Sequence, residues 1–162
     1  MFKYKFNIQS QLIIRFIVII NIMDCLLFRN SKFCEEGFEA GEDLAGMKEG
    51  ARILVIGAGG LGCEILKNLA LCGFLNVFVI DLDTIELTNL NRQFLFRKND
   101  IGKYKAEVAT NFIKTKFPQM SIKWDNKKVQ QYDKDFFRSF HIIIGGLDNI
   151  EARRWLNNLV HR

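Results

Sequence analysis

Residues 52–62, RILVIGAGGLG, limit the folds open to this chain more than any other stretch. The unbroken apolar run Ile53 to Ile56 suits a central parallel strand buried on both faces. It leads directly into Gly57, Gly59 and Gly62, which fit the G-x-G-x-x-G spacing of a dinucleotide-binding turn. Apolar residues then recur at helical spacing at Leu61, Ile65, Leu66, Leu69 and Ala70, and Gly73 is placed to end that helix. Glycines 57, 59 and 60 let main-chain N–H groups approach a phosphate closely, and the helix points its positive end at the same place. Gly-rich strand–helix turns also occur for packing alone. The turn by itself does not choose NAD over another nucleotide.

The text that follows alternates strands with helices. NVFVID (76–81) reads as a second strand ending in an acid, and KAEVATNFIKTKF (105–117) as an amphipathic helix with Ala106, Ala109, Phe112, Ile113 and Phe117 inward. Pro118, the single proline, closes it. MSIKWD (120–125) is a third strand, DKDFFRSF (133–140) a short helix, HIIIGG (141–146) a fourth strand and NIEARRWLNNLV (149–160) a last helix. Such alternation implies parallel β-α-β units with right-handed crossovers. The expected fold is α/β and Rossmann-like, a mostly parallel sheet in the order 3-2-1-4, truncated at the C-terminus. Its crevice lies between strands 1 and 4. The loop after strand 1 then faces the loop after strand 4, Gly145 to Asn149, with Asp81 on the far side of strand 1.

Composition sets the class. With 49% hydrophobic and 25% charged residues, the 162-residue chain is long enough for one globular domain. A net charge of +5 permits an anionic ligand, but the lysines are scattered and no aromatic–basic signature points to nucleic acid. Four cysteines without C-x-x-C spacing and only two histidines argue against zinc and against a disulfide framework. Cys63 and Cys72 read as small core residues of the first helix, and the free thiols suit a reducing interior, cytoplasmic or nuclear.

The first residues are a different text. The run LIIRFIVII (12–20) sits in a segment broken by Arg15, Asn21 and Asp24, short of a membrane span, and no small-x-small cleavage site follows. Residues 1–37 are left as an unassigned extension, disordered or a gene-model artefact, and 38–162 as the nucleotide-binding unit. Residues 35–51, acidic, Gly/Ala-rich and weakly helical in composition, read as a linker and entry segment leading into strand 1.

The chemistry-bearing residues narrow the ligand. Asp81, at the end of strand 2, is spaced to accept hydrogen bonds from ribose hydroxyls. Asp83 either positions the next segment or stabilises a turn with Thr84. TNLNRQFLF (88–96) sets Asn89, Asn91, Arg92 and Gln93 against a Phe-Leu-Phe anchor. Arg92 suits a terminal phosphate, Asn89 is a neutral donor beside it, and Lys105 adds a cation, although each alone also reads as ordinary solvated surface. Asp148, in GGLDN, either caps the helix after it or holds magnesium beside a triphosphate. The charge pattern favours ATP·Mg over NAD.

GAGGLG, DLDT, NLNRQFLF, DIGKYKAE and GLDN, in this order, resemble the adenylation domain of ubiquitin-activating-type enzymes, which include the bacterial ThiF and MoeB proteins. Within that family NLALCGF, FRKNDIG, FHIII and EARRWLN are most similar to the Nedd8-activating branch, with the SUMO-activating branch the nearest rival. The resemblance implies an ATP- and Mg2+-dependent adenylation of the C-terminus of a ubiquitin-like modifier. Gly57, Gly59, Gly60, Gly62, Asp81, Asp83, Asn89, Arg92, Gln93, Lys105 and Asp148 would bind the nucleotide. Arg92, Lys105 and Asp148 would act in catalysis, with Asp148 on magnesium. It implies a heterodimer with a regulatory adenylation-like subunit, and a downstream conjugating enzyme met through catalytic-cysteine and ubiquitin-fold domains that this chain lacks. Residues 1–162 alone are expected to be inactive. Tyr104 stands where the family often has proline. A non-catalytic partner module and an NAD-dependent oxidoreductase are the readings from other classes. No membrane or nucleic-acid partner is expected.

Overall fold

The computed structural model describes Arg29, residues 32–33 and residues 41–160. The apolar run 12–20 and most of the extension before residue 38 lie outside the described residues. Among those described, no helix is long and apolar enough to cross a membrane.

Strands β1 (Arg52–Ile56), β2 (Asn76–Ile80), β3 (Ser121–Asp125) and β4 (Ile142–Gly145) form one parallel sheet in the order β3-β2-β1-β4. The 3-2-1-4 expectation holds. Strand β1 is central and fully buried beyond its first residue, which is why it reads as continuous rather than alternating apolar text. Its alternate side chains nevertheless serve different cores. Ile53 and Val55 pack under helices α2 (Gly60–Cys72) and α3 (Lys105–Lys116), with Leu66, Ala70, Ala106, Ala109 and Ile113. Leu54 and Ile56 face the other way, against Val129 and Phe137, the latter on the short helix α4 (Lys134–Arg138). The last helix, α5 (Ile150–Val160), covers this second face with Trp155, Leu156 and Leu159 half-buried.

Three expectations change. The stretch taken as a linker holds helix α1 (Glu42–Gly50). Its last carbonyls, which a helix cannot satisfy internally, accept from the segment entering β2: Leu75 N–H to Lys48 O at 3.1 Å and Asn76 Nδ2 to Glu49 O at 2.6 Å. These tertiary bonds hold a helix that its weak apolar period does not announce. Leu61, counted on the inward stripe of α2, is 58% exposed, because the buried face of the helix runs through Gly62, Cys63, Leu66 and Ala70 and Leu61 lies on the opposite side. Cys72, taken with Cys63 as core, is only half-buried, while Cys63 is fully buried. Gly73 ends α2 in the left-handed conformation expected, at φ 86°.

Candidate functional site

The glycine turn is built by close backbone contact. Gly57 has φ +100°, and a Cβ there would stand 2.8 Å from Gly146 O. A Cβ on Gly62 would fall 2.0 Å from Gly57 O, so helix α2 reaches the end of β1 only because residue 62 has no side chain. Gly146 N–H donates to Ile56 O at 2.7 Å, joining the loop after β4 to the end of β1. Gly59 is the N-cap of α2, and no side chain among the described residues caps that helix, so its positive end is left to the cavity beyond. Gly60 has a structural neighbour as well, since a Cβ there would lie 3.3 Å from Arg92 O.

Asp81 ties the turn to the next segment. Its Oδ2 accepts from Ala58 N–H at 2.6 Å and its Oδ1 from Asp83 N–H at 2.8 Å. Asp83 in turn accepts from Lys105 twice, main chain to main chain at 2.9 Å and Nζ to Oδ2 at 2.8 Å. The choice left open for Asp83 thus falls to positioning: it holds a nearly buried lysine at the start of α3, while Thr84 bridges to Tyr104. The ammonium retains two further donors for a ligand.

Burial pushes the Asp81 carboxyl above its ordinary value of 3.8, against the two main-chain donors that favour its charge. A raised folded pKa means that its contribution to stability is complete below 3.8 and is lost as pH rises through the folded value. The unfolding free energy of the native chain relative to Asp81→Asn is therefore expected to fall as pH rises above 3.8, measured by denaturant titration at successive pH values. A difference that grew with pH would contradict this.

The segment after β2 is pinned by Leu95 and Phe96, both buried. Asn89 is buried here too, its Oδ1 accepting from Glu86 N–H at 2.9 Å and shaping the turn Leu87–Asn89. Asn89 does not line the cavity, and nor does Gly62. Arg92 does, with its guanidinium steadied by Thr88 O at 2.9 Å. Gln93 also lines it, and its buried Oε1 has no hydrogen-bond partner among the described residues, as expected of a group awaiting a ligand.

Asp148 stands at the opposite wall. The helix after it is capped by Asn149, whose Oδ1 accepts from Glu151 and Ala152 N–H groups at 2.8 and 3.3 Å. The Asp148 carboxylate has no hydrogen bond or ion pair among the described residues, and it lines the cavity. No group of three His, Cys, Asp or Glu side chains that could cage a metal occurs among the described residues. The donor set suits a hard cation held by one carboxylate and ligand oxygens.

One cavity of about 660 Å3 gathers these parts: Gly57, Gly59, Gly60, Asp81, Asp83, Arg92, Gln93, Lys105 and Asp148 all line it. Sequence reasoning missed Lys127, Lys128, Gln130 and Arg153, which line it as well. Among scattered lysines, the only signal for Lys127 and Lys128 is their place just after a strand's carboxyl end, the edge where open parallel sheets bind ligands.

Residues 38–162, more than half of the chain, match the ThiF family. The Nedd8-activating enzyme E1 catalytic subunit of Drosophila melanogaster is 52% identical over 136 residues, 83% of this chain and 30% of that protein. The same subunit of Dictyostelium discoideum is 56% identical over 115 residues, 71% of this chain and 26% of that protein. The SUMO-activating enzyme subunit 2 of Dictyostelium discoideum is 49% identical over 110 residues, covering 67% and 17%. This chain therefore spans less than a third of the length of these relatives. Among solved structures, the E. coli tRNA N6-threonylcarbamoyladenosine dehydratase TcdA in complex with ATP superposes with a TM-score of 0.62 at 28% identity, over 68% of this chain and 46% of that one. E. coli MccB with ATP gives 0.59 at 28%, over 72% and 34%. The sheet order, the glycine turn and these matches agree: the chain belongs to the ThiF family.

Proposed function

We propose that this chain supplies the ATP-binding part of an enzyme that adenylates the C-terminal carboxylate of a ubiquitin-like modifier, Nedd8 in the first place. The observation that carries it is the meeting, in one cavity, of an uncapped glycine turn, an acid at the end of β2, cations at Arg92 and Lys105, and an unpartnered carboxylate at Asp148. A pyrophosphate diester needs fewer charges than this. The identity to Nedd8-activating subunits, at 52% over a longer stretch than the SUMO-activating match, supports the choice of modifier. The complexes of E. coli TcdA and MccB with ATP, both structural relatives, support the nucleotide.

In this reading a carboxylate oxygen of the modifier attacks the α-phosphorus of ATP. A bond forms between that oxygen and phosphorus, the bond from phosphorus to the bridging oxygen breaks, and its electron pair leaves with pyrophosphate. Arg92 and Lys105 donate hydrogen bonds where charge develops on the phosphate oxygens. The main-chain N–H groups at the start of α2 hold the phosphates, and Asp81 orients the ribose while it fixes the turn through Ala58. Asp83 positions Lys105. Mg2+, held by Asp148 and phosphate oxygens, would neutralise phosphate charge. The regulatory subunit, a downstream conjugating enzyme and a cytoplasmic or nuclear location belong to the same proposal.

Nucleotide competition tests it. Mg·ATP is expected to bind the chain more tightly than NAD by isothermal titration calorimetry, and tighter NAD binding would overturn the reading.

A further inference from the structure

The cavity wall at residues 127–130 is held by a three-membered clasp. The Asp125 carboxylate at the end of β3 accepts from Tyr132 Oη at 2.7 Å, and the same oxygen, Oδ2, takes Lys127 Nζ at 3.1 Å. Its other oxygen accepts from Asn126 N–H at 2.8 Å. The Lys127 ammonium also lies 5.8 Å from the centre of the Tyr132 ring, and that ring stacks on Phe136 at 4.2 Å. Between the two ends, Lys128 N–H donates to Gln131 Oε1 at 3.0 Å and Gln131 N–H to Lys128 O at 2.9 Å. Asp81 N–H donates to Asp125 O at 3.2 Å, so the clasp begins beside the acid that orders the glycine turn.

The consequence is geometric. From the edge strand β3 the chain turns back over the carboxyl ends of β2 and β1, where Val129 packs on Leu54, Ile56 and Ile80. Lys127, Lys128, Val129 and Gln130 then form a wall of the cavity. Lys127 is spent on Asp125, whereas the Lys128 ammonium has no partner among the described residues and is available to an anionic ligand. Val129 anchors the wall on the core, and the clasp joins its two flanks, Asp125 and Tyr132.

We propose that Tyr132 and Asp125 are positioning residues: by holding Lys127 between them they set residues 127–130 against the bound nucleotide and so tune its affinity. This rests on the reading of the cavity as a nucleotide site. Tyr132→Phe removes only the hydroxyl and keeps the stack on Phe136. In the full-length chain it is expected to raise the Kd for Mg·ATP about three- to tenfold, as the loss of a hydrogen bond to a charged group would. In the Asp125→Ala background, where the hydroxyl has no acceptor, the same change is expected to leave Kd unaltered, a coupling that general destabilisation does not produce. Equal effects in the two backgrounds, or no effect of Tyr132→Phe on a chain that binds Mg·ATP, would overturn the clasp alone. No binding of Mg·ATP by the unsubstituted chain would overturn the nucleotide reading beneath it, and the clasp's role with it.

Discussion

Gly62→Ala is expected to abolish the stable native state. The added methyl would meet Gly57 O at 2.0 Å and Gly57 C at 2.8 Å, and both are backbone atoms of the turn that joins β1 to α2. Relief requires moving α2 away from the strand, which opens the contacts that bury Cys63 and Leu66. Overpacking usually costs about 1–3 kcal/mol where side chains can yield. A main-chain obstacle cannot yield, and the whole stability of a domain is only about 5–15 kcal/mol. Gly59→Ala is the control, because a Cβ there meets nothing within 4 Å, and it should cost less than about 1 kcal/mol, in line with the few tenths that separate glycine from its substitutes at an N-cap. Urea denaturation of the two variants checks this. Similar midpoints for both would show that the contact at Gly62 does not govern packing.

Arg92→Ala and Asp148→Ala are each expected to lower modifier-dependent ATP–pyrophosphate exchange by about 100-fold or more, the usual cost of removing one group that faces developing charge. The measurement belongs in the complete enzyme containing this chain, with its modifier and partner subunit. Both side chains are exposed on the cavity wall, so melting temperature should stay close to that of the native protein. Arg92→Lys should recover only part of the rate, since an ammonium cannot reproduce the planar fork of a guanidinium. For Asp148→Ala the loss should be accompanied by a weaker dependence of the rate on Mg2+. Exchange at the native rate in both alanine variants would remove Arg92 and Asp148 from the proposed chemistry.

The backbone plan was legible in the sequence because burial leaves a periodic record. Strand β1 is an unbroken apolar run since both of its faces are covered, and α3 shows Ala106, Ala109 and Ile113 at helical spacing since one of its faces is. Helix α1 left no such record. The bonds from Leu75 and Asn76 that hold its last turn come from residues far along the chain. Leu61 misled for the converse reason: it is apolar and spaced with Ile65 and Leu69, but the face that is buried runs through Gly62, Cys63, Leu66 and Ala70.

The candidate site divides along the same line. The sequence by itself determined the fold class, the order of the strands, and the approach of Gly57, Asp81, Lys105 and Asp148 to one end of the sheet, because parallel crossovers of one hand leave little other choice. The tertiary structure decided which side chain does what at that end. It put Asn149 on the cap of α5 and so left Asp148 free, and it turned Asp81 onto Ala58 N–H and Asp83 onto Lys105. It placed Asn89 inside its own turn, and brought Lys127 and Lys128 to the cavity wall through Asp125 and Tyr132. Periodicity reports which face of an element is buried. Hydrogen-bond partnerships depend on distances between elements, and these exist only once the sheet has assembled.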